Sequence, residues 1–234
     1  MSPRKGGRTS LEALRKKVIS CRKCARLVKF REGVVPRASY SSDAYWRRPV
    51  PGFGDIEGRL LVIGLAPAQH GGNRTGRVFT GDPSGRFLVR ALHAAGFANI
   101  PVSESTGDGL VYTDCYLTAA VKCVPPGDRP TESEFNNCSG YLRAEIELMR
   151  NLRSVLALGS LAFRAYLEYL GSTGVEVRGV KFSHGAEYRF NGLPRLYASY
   201  HPSPRNTNTG LLTPQMLVKV LERIKSEFAR DQAS

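Results

Sequence analysis

"RLLVIGLAPAQHGGNRTGRVFTGD", residues 59–82, decides how the rest of the chain is read. Residues 60–63 are a short, unbroken apolar run, the mark of a strand buried on both faces, and Gly64 ends it. A glycine-rich loop behind such a strand is where an open α/β sheet receives its ligand. Yet this loop is chemically bare, with no carboxylate, lysine or hydroxyl in residues 64–72. Neither G-x-x-x-x-G-K-[ST] nor G-x-G-x-x-G fits it at any offset, and Pro67 removes one amide from any nest of backbone donors. Gly64, Gly71 and Gly72 suit something else, a close approach of backbone to a flat ligand.

Outward from this stretch the chain alternates helix and strand. "LEALRKKVISCRKC" behind a Ser10 N-cap reads as an amphipathic helix ending in a cysteine pair, with a loop over residues 33–58 after it. "PSGRFLVRALHAAG" is a helix with Pro83 and Ser84 at its start and Gly96 as its stop. "YLTAAVK", "SVLALG" and "RLYASYH" are three further strands. "TESEFNNCSGYLRAEIELMR" holds a helix with a possible break at Ser139-Gly140, "SLAFRAYLEYL" another, and "TPQMLVKVLERIKSEFAR" the last; residues 171–194 read as a Gly-rich hairpin. The expectation is an α/β fold, one three-layer domain over residues 11–234, with a central, mostly parallel four-stranded sheet flanked by helices. Residues 1–10 read as a flexible basic tail. The ends of the first and last strands should converge on one cleft.

Lys plus Arg number 34 against 20 Asp plus Glu, a formal net charge of +14, which favours a polyanionic partner and nucleic acid above all. No apolar run approaches a membrane span, and the basic N-terminus lacks the apolar core of a signal peptide, so a cytoplasmic location is expected. Five cysteines without an export signal do not suggest a disulfide framework. Cys115 reads as core, whereas Cys21 and Cys24 in "CRKC", Cys123 in "VKCVPP" and Cys138 in "NNCSG" could gather four thiolates around zinc or an iron–sulfur cluster. Spacing alone does not choose between them. Among the four histidines, His93 reads as a partly buried helix residue and His184 as a surface hairpin residue. His70 lies in the bare loop, and His201 ends a strand before Pro202, Ser203 and Pro204, a rigid turn suited to fixing an imidazole in a cleft.

"GLAPAQHGGNRTGRVFTGD" and "HPSPRNTNTG", taken with the four cysteines, resemble the uracil-DNA glycosylase superfamily, and within it the family-5 (type B) iron–sulfur enzymes. The resemblance runs from "CRKC" to the closing helix. It implies a [4Fe-4S] cluster on Cys21, Cys24, Cys123 and Cys138. It also accounts for the bare loop: relatives in the superfamily carry Asp or Asn where this chain has Ala66, and family 5 lacks a polar residue there. Asp82 is implied as the carboxylate that supports the sugar cation and the attacking water, His201 as the donor to the departing base, and Phe79 as the platform for a flipped base. Gly64, Ala66, Pro67, Ala68, His70 and Asn73 would line the base pocket; Ser203, Arg205 and Asn206 would face DNA. Asp128 in "CVPPGDRPT", where relatives are expected to carry Asn, is a third catalytic candidate. Arg205, Leu211 and Leu212 are candidates for the wedge that fills the gap left by the base.

The expected activity is a monofunctional DNA glycosylase of base excision repair, acting on uracil and other deaminated bases, since neither signature contains a Schiff-base lysine. The expected partner is DNA, with a replication clamp as a further possibility and a monomeric state. The competing readings are an iron–sulfur electron-transfer protein and a basic DNA-binding module without catalysis.

Overall fold

Four apolar runs too short for helices have no polar face to show to water, so they pair side by side and require a helical layer on each side. In the computed structural model, which describes residues 5–230, the elements in chain order are α1 (Lys5–Ile19), α2 (Ala25–Glu32), β1 (Phe53–Gly54), β2 (Leu60–Gly64), α3 (Gly72–Thr75), α4 (Pro83–Ala94), β3 (Cys115–Ala119), α5 (Glu132–Leu148), β4 (Ser154–Leu158), α6 (Ser160–Ser172), β5 (Glu187–Tyr188), β6 (Arg195–Ser199), α7 (Pro204–Asn208) and α8 (Pro214–Arg230). Every residue of β2, β3 and β4 is buried.

The sheet has six strands in the order β1-β3-β2-β4-β6-β5, not the expected four. The four apolar runs are its parallel centre, with Val62 opposite both Leu117 and Leu156, and Leu156 opposite Tyr197. The two additions are antiparallel edges, Phe53 against Leu117 and Tyr188 against Leu196. Each is two residues long, too short to leave a periodic pattern.

Alternation along β2 sends Leu60 and Val62 to one face, where they meet Leu88 and Leu92 of α4 and Leu221 and Ile224 of α8. Leu61 and Ile63 face the other layer, with Leu27 of α2, Leu142 of α5 and Tyr166 of α6. The chain leaves β2 toward β3 on one side and later adds β4 and β6 on the other. The crevice opened by that reversal lies at the carboxyl ends of β2 and β4, the position that α/β sheets use for ligands.

Three local expectations change. The first helix begins at Lys5, so Ser10 lies inside it and does not cap it; residues 1–4 of the expected tail lie outside the described residues. It also ends at Ile19, and Cys24 stands at the N-cap of the separate α2, so the cysteine pair sits in the break between two helices. Helix α5 runs unbroken through Ser139-Gly140, opened by a capping box in which Thr131 and Glu134 satisfy each other's backbone N–H.

Candidate active site

His201 follows β6 and reaches the crevice across the end of β4. Gly159 makes room for it: a Cβ there would stand 3.2 Å from the Cβ of His201. The turn behind is closed by Asn206, whose Nδ2 donates to the His201 carbonyl at 2.8 Å. No hydrogen bond or ion pair engages the imidazole itself among the described residues. Burial pulls its pKa down to about 4, so at neutral pH it is an uncharged ring with an N–H free to donate.

The Phe79 ring stands 6.5 Å from it, centroid to centroid, with the planes tilted by 33°. The tip of the Phe79 ring meets the end of β2 so closely that a Cβ on Gly64 would come 2.5 Å from its Cζ. Its backbone is left-handed, φ 50°, a conformation that costs a bulky residue about 1–3 kcal/mol. The surroundings enforce it. Ser103 donates its hydroxyl to the Phe79 carbonyl at 3.0 Å, and a side chain on Gly85 would collide with that same carbonyl. Arg77, nearly inaccessible, pairs with Asp108 at 2.6 Å and donates to Thr80 and Ser103, locking this segment to residues 103–110. Those bonds hold the Asp108 carboxyl at about 2, against the opposing effect of its burial.

Asp82 is both the N-cap of α4, accepting from the Gly85 N–H at 3.0 Å, and a wall of the crevice. Its Oδ2 lies so close to Gly71 that a Cβ there would stand 2.1 Å away. Burial raises its pKa, opposed by the backbone N–H groups of Gly85 and Ser84 and by Arg86. The glycine loop therefore approaches a carboxylate delivered from the next helix, which is why it can lack one of its own.

The loop is rigid. Ala68 accepts from the N–H of Gly71 and of Asn73, and Pro67 packs on Gly72. Arg74 spans its two ends, donating to the carbonyls of His70 at 2.8 Å and Gly81 at 3.2 Å while pairing with Asp43. His70 accepts or donates at Nδ1 with the Tyr45 hydroxyl at 2.9 Å, and burial lowers its pKa, assisted by Arg37 and Arg74. Asn73 is buried, and its Nδ2 donates to the Arg31 carbonyl at 3.2 Å. Ala66 is half-buried and offers no polar group.

Beyond His201, Ser203 stands at the N-cap of α7 and Arg205 is exposed within it. Leu211 is exposed, whereas Leu212 is buried in the α4–α8 layer and is removed from the wedge candidates. Asp128 lies exposed in a one-turn 3-10 helix with left-handed backbone, φ 57°, and its carboxylate meets no partner among the described residues. His93 is exposed, not partly buried. His184 is more involved than a surface hairpin residue: it stacks on Tyr200 with centroids 5.2 Å apart and accepts the Tyr200 N–H at Nδ1.

The four cysteines of the expected site are free thiols lining one cavity, together with Arg31, Lys122, Asn137 and Tyr141. Arg31 Nη1 donates to Cys123 Sγ at 3.0 Å, and Asn137 Nδ2 to Cys24 Sγ at 3.4 Å. Burial pushes the Cys123 thiol up to about 12 and raises that of Cys138. Among the described residues no group of three or more His, Cys, Asp or Glu is gathered tightly enough for a metal ion. Cys115 is core, fully buried in β3.

Several contributors escape a reading of the sequence. Arg31, Tyr45, Ser103 and Asp108 act through contacts distant in sequence, and nothing local announces them. The Asp82-Pro83 pair did carry a signal, an N-cap followed by proline at the first helical position.

The model of the uracil-DNA glycosylase superfamily matches residues 51–225. A type-5 uracil-DNA glycosylase of Pyrobaculum aerophilum is 49% identical over 211 residues, 90% of each chain. Enzymes of the same name from Thermus thermophilus (46%, 92% of this chain and 96% of the relative) and Mycobacterium leprae (44%, 94% and 96%) are similar throughout. The bare loop, the strand-end histidine and the four-cysteine cavity thus occur in a chain that belongs to the uracil-DNA glycosylase superfamily, in its type-5 branch.

Proposed function

We propose that the chain hydrolyses the N-glycosidic bond of uracil, and of other deaminated bases, in DNA, leaving an abasic site in an uncut strand. One observation carries this most: a half-buried, neutral His201 with no hydrogen-bond partner on its ring among the described residues, beside an aromatic ring at the crevice of the sheet. As the bond between base and sugar lengthens, negative charge grows on the base carbonyl and positive charge on the sugar ring. His201 donates its N–H to that carbonyl oxygen and needs no prior deprotonation at neutral pH. Phe79 supports the face of the flipped base. Asp82 balances the sugar cation and accepts the proton of the water that attacks the anomeric carbon, and its raised pKa makes it the stronger base. Gly64, Ala66, Pro67, Ala68, His70 and Asn73 form the floor of the base pocket; Ser203, Arg205 and Asn206 meet the phosphates; exposed Asp128 acts at most on the approaching water.

The reaction ends at hydrolysis because neither loop signature carries a lysine to attack the sugar, and Lys122, three residues beyond β3, is not free either. Lys122 is buried and ion-paired to Glu145 at 2.6 Å, with Thr118 as a second acceptor. Cys21, Cys24, Cys123 and Cys138 would hold the [4Fe-4S] cluster. The fit rests on four unpaired thiols around one cavity and on the buried guanidinium of Arg31, whose Nε has no partner. A thiolate cluster there would add negative charge beside Arg31, whose carboxylate partner Glu32 stands 3.6 Å away, and tie α2 to α5 and the loop after β3. DNA as substrate agrees with the net charge of +14. No helix among the described residues is long and apolar enough to cross a membrane. We take the protein as a cytoplasmic monomer, with recruitment by a replication clamp as a separate question.

Single-turnover kinetics test the site. His201→Ala should bind uracil-containing duplex yet lose on the order of 100-fold or more in rate, as removal of a donor to a developing anion does. Asp82→Ala should be similarly slow, and His93→Ala, at an exposed helix position, within a few-fold of the parent. A full rate for His201→Ala would overturn the assignment.

A further inference from the structure

A helix leaves its last carbonyls without partners inside the helix, and something else must take them. At the end of α2 the takers come from the glycine loop and from the segment paired with it. Asn73 of the glycine loop donates Nδ2 to the Arg31 carbonyl at 3.2 Å. Arg47, whose own N–H donates to the Asn73 carbonyl at 3.1 Å, places its guanidinium on the carbonyl of Glu32. The orientation of the Asn73 amide is forced, because its oxygen facing the Arg31 carbonyl would be repelled. The other end of Arg31 points the opposite way. Its guanidinium, nearly inaccessible, donates to Cys123 Sγ at 3.0 Å and to the Cys21 carbonyl at 3.2 and 3.3 Å. One residue therefore touches two of the four cysteines with its side chain and the active-site loop with its backbone.

We propose that Arg31 is a positioning residue that makes the order of the catalytic glycine loop depend on the cysteine-bound cluster. The inference rests on the cluster assigned above. With thiolates in place, the guanidinium is held by charge-assisted bonds at Cys123, and the last turn of α2 is fixed with its carbonyls aimed at Asn73 and Arg47. Without them, the buried cation keeps only the Cys21 carbonyl and the long contact to Glu32 at 3.6 Å, its Nε stays unpartnered, and the turn that carries the two carbonyls loosens with it. Asn73 then loses its anchor, and so does the loop that packs against Asp82 and runs on to Phe79.

Hydrogen exchange on the iron-loaded protein tests this, following amides of residues 68–75 before and after stripping iron with ferricyanide and a chelator. In the parent, stripping should speed exchange about three- to tenfold, the effect of one lost anchoring hydrogen bond. Asn73→Ala should exchange that fast with its iron content and visible absorption unchanged, and stripping should add little. If stripping unfolds the whole chain, Arg31→Gln makes the same comparison with iron present. It should lower the cluster's reduction potential, since a donor and a positive charge are lost, and free the loop; Arg31→Lys should restore the potential in part. Parent-like exchange in Asn73→Ala or Arg31→Gln holoprotein would overturn the proposal and leave the cluster standing. A protein with four cysteines but no iron would overturn both.

Discussion

Replacing Gly64 by alanine adds one methyl group at the point where the end of β2 meets the aromatic platform. The new Cβ would stand 2.5 Å from Phe79 Cζ and 3.1 Å from Cε2. Carbon atoms settle at about 3.5–4.0 Å, so the ring must retreat by about 1 Å. The backbone of Phe79 cannot absorb this, because Ser103 and Gly85 fix its carbonyl, so the ring itself must tilt or slide relative to His201. A displacement of about 1 Å at a reacting group commonly costs on the order of 100-fold in rate. The stability penalty of overpacking is about 1–3 kcal/mol, small enough to leave the chain folded at 25 °C. Single-turnover release of uracil from a duplex, with enzyme in excess, should fall about 100-fold. Phe79→Ala in the same chain should remove the clash, so the double variant should be no slower than Phe79→Ala alone. Gly140→Ala is the control: its Cβ would meet nothing within 4 Å on α5, so the rate should hold and stability rise by about 1 kcal/mol. A Gly64→Ala enzyme within threefold of the parent would refute the claim that Phe79 is held against Gly64 for catalysis.

Two further outcomes follow from charge. The His201 imidazole has a pKa of about 4 in the folded chain against an ordinary 6.5, so the unfolded chain binds the proton first as pH falls. Stability should drop between those values by about 2–3 kcal/mol, and urea unfolding at pH 7 and pH 4.5 should show a loss of that size that disappears in His201→Gln. Arg205, exposed in α7, is placed to meet a phosphate; Arg205→Ala should weaken binding to abasic DNA and flatten the log affinity–log salt slope by about one unit.

The parallel centre of the sheet was readable because four runs such as residues 60–63 are apolar on both faces, a pattern that leaves few alternatives. The edges β1 and β5 were not, since two residues pair through backbone and leave no periodicity. His201 was legible from its place at a strand end before a rigid Pro-Ser-Pro turn, and Asp82 only through the family motif; the physical reason for Asp82, a carboxylate that caps α4 and faces Gly71, required the fold. The joint at α2 was invisible for a different reason. Gly33 in "CRKCARLVKFREG" marks a helix end, but nothing there says that the last carbonyls take Asn73 and Arg47, residues far away in the chain. Local propensity records none of that.

The central claim is hydrolysis of a uracil glycosidic bond without strand cleavage. Incubation of the iron-loaded protein with a duplex holding one labelled uracil should release free uracil and leave the strand intact until alkali breaks it at the abasic site. A duplex that keeps its uracil, or a strand cut before alkali, would contradict the account.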